Sequence, residues 1–303
     1  MKVAVTGASG LIGSALVAAL REDGDQVVSL VRRSPAAPDE IAWDPRAERG
    51  GVPPDALAGT SAVVHLAGAG VADHRWTDAY KQEIRASRVD GTHALASLLA
   101  AMDEPPAVLL SGSAIGWYGD TGGAPVTEDA PAGRAFLSRV VADWEAAAEP
   151  ARSAGIRVAH LRSGLVLGSG GGVLGRLALP ARLGVLPRFG DGRQVMSWIS
   201  LTDEIRAIRF LLDASEAEGR SGPYNLTAPN PVTNAELTSA LLAAFRRPDF
   251  PWLRIPAPAL RLALGEMSSE LLTSARVLPK RLSEGGFGFD HPTVGVARAA
   301  ELK

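Results

Sequence analysis

The chain has 303 residues, 46% of them hydrophobic, enough for one large or two modest globular domains rather than a short accessory module. With 31 basic and 33 acidic residues the formal net charge is -2, so there is no global electrostatic footprint for nucleic acid or an acidic membrane surface. The absence of cysteine excludes disulfides, thiolate metal sites, redox pairs and a cysteine nucleophile together, and five scattered histidines argue against a metal site.

The first expected strand, Val3 to Val5, follows the initial Met with no basic and apolar leader before it, so a cytoplasmic protein is expected. No apolar run approaches the roughly 20 residues that cross a bilayer, so no membrane association is expected either. A helix over Leu11 to Glu22 carries apolar residues at helical spacing and meets a capping Gly24. Strands follow at Val27 to Val31 and Ala62 to Leu66, then a long helix from Asp78 to Met102, a strand from Ala107 to Ser111, a helix from Leu137 to Ser153 and a strand from Arg157 to Arg162. This alternation predicts an α/β fold, a Rossmann-type doubly wound parallel sheet with helices on both faces.

Beyond about residue 165 the regularity fails. Gly164 to Gly192, with Gly168, Gly170, Gly171, Gly172 and Gly175 clustered, reads as a loop. Helices are expected at Leu201 to Ala214 and Asn234 to Phe245, with a short strand at Tyr224 to Leu226 between them, and the proline-rich tail from Arg247 admits only short elements. The expected division is a Rossmann domain over 1–165, with 201–228 returning to it, and a smaller, interleaved substrate-binding region over 166–303.

Thr6-Gly7-Ala8-Ser9-Gly10-Leu11-Ile12-Gly13 joins the first strand to the first helix. Glycines permit a tight turn and close backbone approach, and the amides of a helix N-terminus face a pyrophosphate. The Gly-x-x-Gly-x-x-Gly spacing is one residue longer than the common dinucleotide fingerprint. At the end of the second strand an acidic residue would bond a ribose 2′-hydroxyl, whereas arginine accommodates a 2′-phosphate. Arg32 and Arg33 stand there, which predicts NADP(H).

These motifs resemble those of the extended short-chain dehydrogenases/reductases, the NAD-dependent epimerase/dehydratase family. The resemblance extends through His65 to Gly68, through Ser111 to Gly119 and through Leu161 to Gly168. Arg75-Trp76 with Lys81, Ile84 and Ser87 to Val89, Gly192 to Gln194 with Met196 to Ile199, and Val277 to Leu282 are similar to a poorly characterised subgroup of epimerase-family proteins. The resemblance implies that Gly7, Ser9, Gly10, Leu11 and Ile12 cradle a diphosphate, with Arg32 and Arg33 by the 2′-phosphate and Trp43 and Asp44 by the adenine. It places Leu66, Ala67 and Gly68 under the ribose, and Ser111, Arg162, Ser163, Gly164 and Leu165 near the nicotinamide.

The family's catalytic Tyr-x-x-x-Lys is missing. The tyrosines are Tyr80, Tyr118 and Tyr224, and four residues beyond each stand Ile84, Gly122 and Ala228. Phe136 and Val140 fall where the pair belongs, and neither can ionise. Ser113 aligns with the catalytic Ser/Thr, and Tyr118 is the expected proton donor in the absence of the pair. Lys81, Arg85 and Arg88 share one helix face and, with Arg193, form an expected site for an anionic substrate. His65 is expected to be structural, and Glu128 and Asp129 to solvate a loop. The predicted activity is that of an NADP(H)-dependent oxidoreductase or epimerase-like enzyme on a small polar substrate, anionic or neutral, and the alternative is a non-catalytic NADP(H)-binding sensor or regulatory protein. A monomer and a homodimer both remain open.

Overall fold

The computed structural model describes residues 1–47, 51–168, 171–213 and 219–301, so Gly170 and Ala214 lie outside the described residues. Seven strands form one parallel sheet: β1 (Lys2–Thr6), β2 (Gln26–Val31), β3 (Glu40–Ala42), β4 (Ala62–His65), β5 (Val108–Ala114), β6 (Arg157–Ser163) and β7 (Gly222–Leu226). Their spatial order is β7-β6-β5-β4-β1-β2-β3. The chain winds outward from β1 in one direction and then returns to build β4 to β7 in the other, so the order reverses between β1 and β4. In such a sheet that reversal opens a crevice at the carboxyl ends of the strands.

Side chains alternate between the two faces as a pleated strand requires. Val3, Val5 and Val64 point to a layer made with Leu16 and Leu20 of α1 (Leu11–Glu22), while Ala4 and Val63 meet Leu95, Leu98 and Leu99 of α2 (Asp78–Ala100) on the other face. The Thr77 hydroxyl caps α2 by accepting from the Tyr80 amide at 3.2 Å.

The helix expected over Leu137 to Ser153 is broken in two, α3 (Phe136–Ala146) and α4 (Glu149–Ser153). Pro150 explains the break, because it is accommodated in the first turn of a new helix and not inside a continuous one. The Gly-rich stretch read as a loop contains a helix, α5 (Gly172–Arg182). Leu177 and Ala181 of α5 pack into a separate apolar cluster around Trp198, which supplies the stabilisation that local propensity lacks.

Helix α6 (Leu201–Leu212) covers the main sheet ahead of β7, which pairs with β6. Its neighbour α7 (Asn234–Ala244) joins the Trp198 cluster through Leu237, Leu241 and Leu242. Short parallel pairings stitch distant parts of the chain together, Leu165–Leu167 with Trp198–Ser200 and Pro125–Val126 with Arg276–Val277. No helix among the described residues is long and apolar enough to cross a membrane.

Candidate functional site

The turn after β1 is built where β1 and β4 lie side by side. Gly7 has φ +70°, and a Cβ there would stand 2.8 Å from the Leu66 carbonyl carbon; at Gly13 a Cβ would stand 2.1 Å from the Gly7 carbonyl oxygen. Only glycine fits either place. The Gly10 amide is spent on the Gly7 carbonyl, but α1 has no side-chain cap, which leaves the amides of its first turn directed at the crevice.

Thr6 welds this turn to the neighbouring strand. Its hydroxyl accepts from the amides of Leu66 at 3.1 Å and Ala67 at 3.2 Å, so its one proton goes to Nδ1 of His65, 2.7 Å away. His65 is therefore a neutral Nε2–H tautomer, and burial pulls its pKa down to about 4. It is structural, as its place at the end of a buried strand implies.

A groove of about 720 Å³ runs from this turn past Ser9 and Gly10 to Arg32, Arg33 and Trp43, with Leu66, Ala67 and Gly68 along its floor. Leu11 reaches Gly172 and Ile12 packs against the core, so the groove receives backbone rather than side chain from both. Arg33 is engaged by both carboxylate oxygens of Glu40, at 2.5 and 2.8 Å. Arg32 has no hydrogen-bond or ion-pair partner among the described residues. Trp43 is buried and edge-on to His65, while Asp44 is exposed and accepts from the Arg46 amide.

The hydroxyls of the expected proton donors are engaged by buried partners. Ser113 is buried and donates to Glu145 at 2.6 Å. Tyr118 is also buried; it donates to Asn225 at 2.6 Å and accepts from Arg162 at 3.0 Å. Burial pushes the Tyr118 phenol up, and the guanidinium of Arg162 beside it pulls the other way without reversing the shift. Arg162, expected by the nicotinamide, instead stacks on Trp117 behind the strand, and Ser111 is wholly buried. Glu128 is not a loop-solvating acid: it is buried and accepts from the Asn225 amide, and only Asp129 is exposed, paired with Lys280.

A second cavity, of about 390 Å³, opens beyond the carboxyl ends of β5 and β6. Ile115 and Gly116 follow β5 into it, Ser163, Gly164 and Leu165 follow β6, and Leu137, Leu237, Met267 and Leu271 close it. Ser163, Gly164 and Leu165 thus line this chamber rather than the Gly-rich groove. The four cations expected to bind an anion do not converge on it. Lys81 pairs with Glu266 at 2.8 Å, Arg85 pairs with Asp143 at 3.0 Å, and Arg193 is exposed elsewhere. Arg88 is half-buried over Trp144, donates to the Ile84 carbonyl and backs onto Gly68, and desolvation lowers its guanidinium to about 10.

Residues 3–227 match the NAD dependent epimerase/dehydratase family, and residues 255–300 match a domain of unknown function, DUF1731. The chain belongs to the epimerase/dehydratase family. It is 46% identical over 296 residues to an epimerase family protein of Mycobacterium bovis, covering 97% of this chain and 95% of that one. Its structure is similar to that of the human epimerase family protein SDR39U1 with NADPH, at 30% identity and a TM-score of 0.88 over 99% of both chains. It also resembles a nucleoside-diphosphate sugar epimerase from Corynebacterium glutamicum, at 36% identity and a TM-score of 0.81, over 100% of this chain and 58% of that one.

Among the described residues of α3, Leu137 lines the chamber, while Phe136 and Val140 pack with Trp76, so α3 presents no ionisable group to the chamber there. Three residues escape sequence reasoning. Thr6 is recognisable only once β4 is known to lie beside it. Glu204 is brought behind Ser163 by α6, its carboxylate accepting from the Ser163 hydroxyl at 2.5 Å. Glu270 enters the chamber from a five-residue helix, Ser268–Leu272, too short to carry a periodic signal.

Proposed function

We propose that this protein is an NADP(H)-dependent oxidoreductase or epimerase-like enzyme whose substrate occupies the apolar chamber. The observation that carries this reading is the pairing, along the carboxyl edge of one sheet, of a glycine-lined groove ending at an arginine unpaired among the described residues with a separate, mainly apolar cavity. The groove fits a dinucleotide on its own features: Gly7 and Gly13 leave no room for a Cβ, the first turn of α1 is uncapped, and Arg32 is unpaired at the distance end of the groove from the turn. The NADPH of the human relative supports the same choice. Bound nicotinamide supplies hydride transfer, and the chain supplies position and electrostatics.

Arg32, rather than Arg33, is the residue proposed to meet the 2′-phosphate, because Glu40 already neutralises Arg33. Fluorescence titration is expected to give tighter binding of NADPH than of NADH, with Arg32→Ala weakening NADPH roughly tenfold to hundredfold. Arg33→Ala is expected to have the smaller effect. Equal affinities for the two dinucleotides would overturn the NADP(H) assignment.

One observation favours the binding-only alternative, namely that the hydroxyls of Ser113 and Tyr118 are both committed to buried partners. Oxidation of bound NADPH in the presence of a carbonyl compound decides between the two readings.

A further inference from the structure

Among its described lining residues the chamber holds a single ionisable side chain. These residues include no lysine, arginine or histidine, and the one acid is Glu270. Leu137, Leu165, Met196, Leu237, Met267 and Leu271 supply apolar walls around it. Among the described residues the Glu270 carboxyl has no hydrogen-bond or ion-pair partner, so its polar capacity is left for whatever fills the cavity.

We infer that Glu270 is the residue that exchanges a proton with the substrate in this chamber, and that the substrate is an apolar carbonyl compound or the corresponding alcohol. The inference rests on the NADP(H)-dependent reading above. A nucleotide sugar does not suit the described lining, because a diphosphate calls for cationic or clustered amide partners and none of the described lining residues is a cation. An apolar body with one oxygen does suit it, the walls covering the body and the carboxyl meeting the oxygen.

In the reducing direction the carbonyl carbon gains a hydride, with oxidation of NADPH to NADP⁺. The carbon–oxygen π pair becomes the new O–H bond by taking the Glu270 proton, and solvent returns a proton to the carboxylate. Burial pushes the Glu270 carboxyl up to about 7, so both the donating and the accepting forms are populated near neutrality. Among the described residues lining the cavity, no other charged group stands beside Glu270. Glu266, one turn earlier, is paired with Lys81, and Arg75 packs against Gly265 just before it. Glu204 reaches the cavity only through the Ser163 hydroxyl.

The test uses the whole protein, NADPH, and octanal and benzaldehyde as probes. Wild-type protein is expected to oxidise NADPH with at least one aldehyde, and Glu270→Gln to lower that rate about 100-fold or more and to remove the pH dependence near neutrality. NADPH affinity is expected to be unchanged in Glu270→Gln, since Glu270 lies outside the groove. Carboxyl-carbon NMR of glutamate-labelled wild-type protein is expected to show, beside the Glu204 resonance that titrates near 8, a resonance that titrates near 7, shifts when octanal is added and vanishes in Glu270→Gln.

Loss of NADPH binding in the wild type would overturn the underlying cofactor reading. Intact NADPH binding with no aldehyde turnover, or with an unaltered pH profile in Glu270→Gln, would overturn the role of Glu270 alone. Tighter binding of UDP-glucose than of either aldehyde would overturn the substrate class.

Discussion

Arg162 grips both carboxylate oxygens of Glu145, at 2.7 and 2.9 Å, and both side chains are almost wholly buried. The pair forms the centre of a network that takes the Ser113 hydroxyl on one side and the Tyr118 phenol on the other. Removing one ion of a buried pair leaves the other uncompensated, so Glu145→Gln is expected to destabilise the fold by about 3–5 kcal/mol. Ser113→Ala and Tyr118→Phe each remove one hydrogen-bonding hydroxyl and are expected to cost about 1 kcal/mol, with NADPH affinity unchanged. Urea unfolding beside NADPH titration checks this. Tyr118→Phe with an unchanged unfolding midpoint but abolished turnover would return the phenol to the catalytic role.

Glu40 acts on the cofactor groove through Arg33. It holds that guanidinium in a fork and accepts from the Ala36 amide as well, and these hydrogen bonds keep its carboxyl below the usual range. Glu40→Gln removes a negative charge from the end of the groove and releases Arg33 toward a 2′-phosphate. NADPH is expected to bind several-fold more tightly, with the gain shrinking as salt is raised, because the pair is exposed to solvent. NADH affinity should stay where it was. A gain shared equally by both dinucleotides would mean that Glu40 acts on something other than the 2′-phosphate.

Gly13 and Gly175 are both helical glycines, yet they answer to different constraints. A Cβ on Gly13 would collide with the Gly7 carbonyl oxygen, whereas one on Gly175 meets nothing within 4 Å. Gly13→Ala must therefore push α1 away from β1, at about 1–3 kcal/mol, and deform the turn that is proposed to hold the diphosphate. NADPH affinity is expected to fall at least about tenfold. Gly175→Ala is expected to stabilise α5 by up to about 1 kcal/mol through helix propensity alone. Thermal unfolding of the two variants should move in opposite directions, and a Gly13→Ala protein with wild-type affinity would show the turn to be more adaptable than its geometry implies.

The contrast between these glycines marks what is legible in a sequence. The turn after β1 is local, so Gly7, Gly10 and Gly13 announce it, and the apolar alternation of Val3 to Val5 and Val27 to Val31 announces the strands around it. Ser113 and Tyr118 were misplaced for the opposite reason. Their residue types were right for proton transfer, but their orientation depends on Glu145, 32 residues beyond Ser113, and on Asn225, 107 residues beyond Tyr118. The basic stripe failed likewise, because helical spacing puts Lys81, Arg85 and Arg88 on one face without revealing that Glu266 and Asp143 stand opposite two of them. Glu270 has no local signal at all, and only the tertiary fold, which lines one cavity with a short tail helix together with residues of α3 and α7, brings it there.

Glu204 makes the stability of the fold decline as the pH rises between about 4.5 and 8. It is fully buried in the first turn of α6, with one oxygen accepting from Ser163 and the other without a partner, and burial pushes its carboxyl up to about 8. The folded state thus holds this proton more tightly than the unfolded chain, whose glutamate titrates near 4.5. The stabilisation is complete below about 4.5 and is lost as the pH rises through about 8, a change on the order of several kcal/mol. His65 and His160 act at the other end: burial pulls both to about 4, so stability is lost as the pH falls from 6.5 through that value. Thermal unfolding is therefore expected to show a maximum near neutral to mildly acidic pH. Glu204→Gln is expected to lower the melting temperature at pH 6, because an amide NH₂ is buried in place of the protonated oxygen, yet to flatten the alkaline limb. Parallel alkaline limbs for the two proteins would show that another group carries the loss.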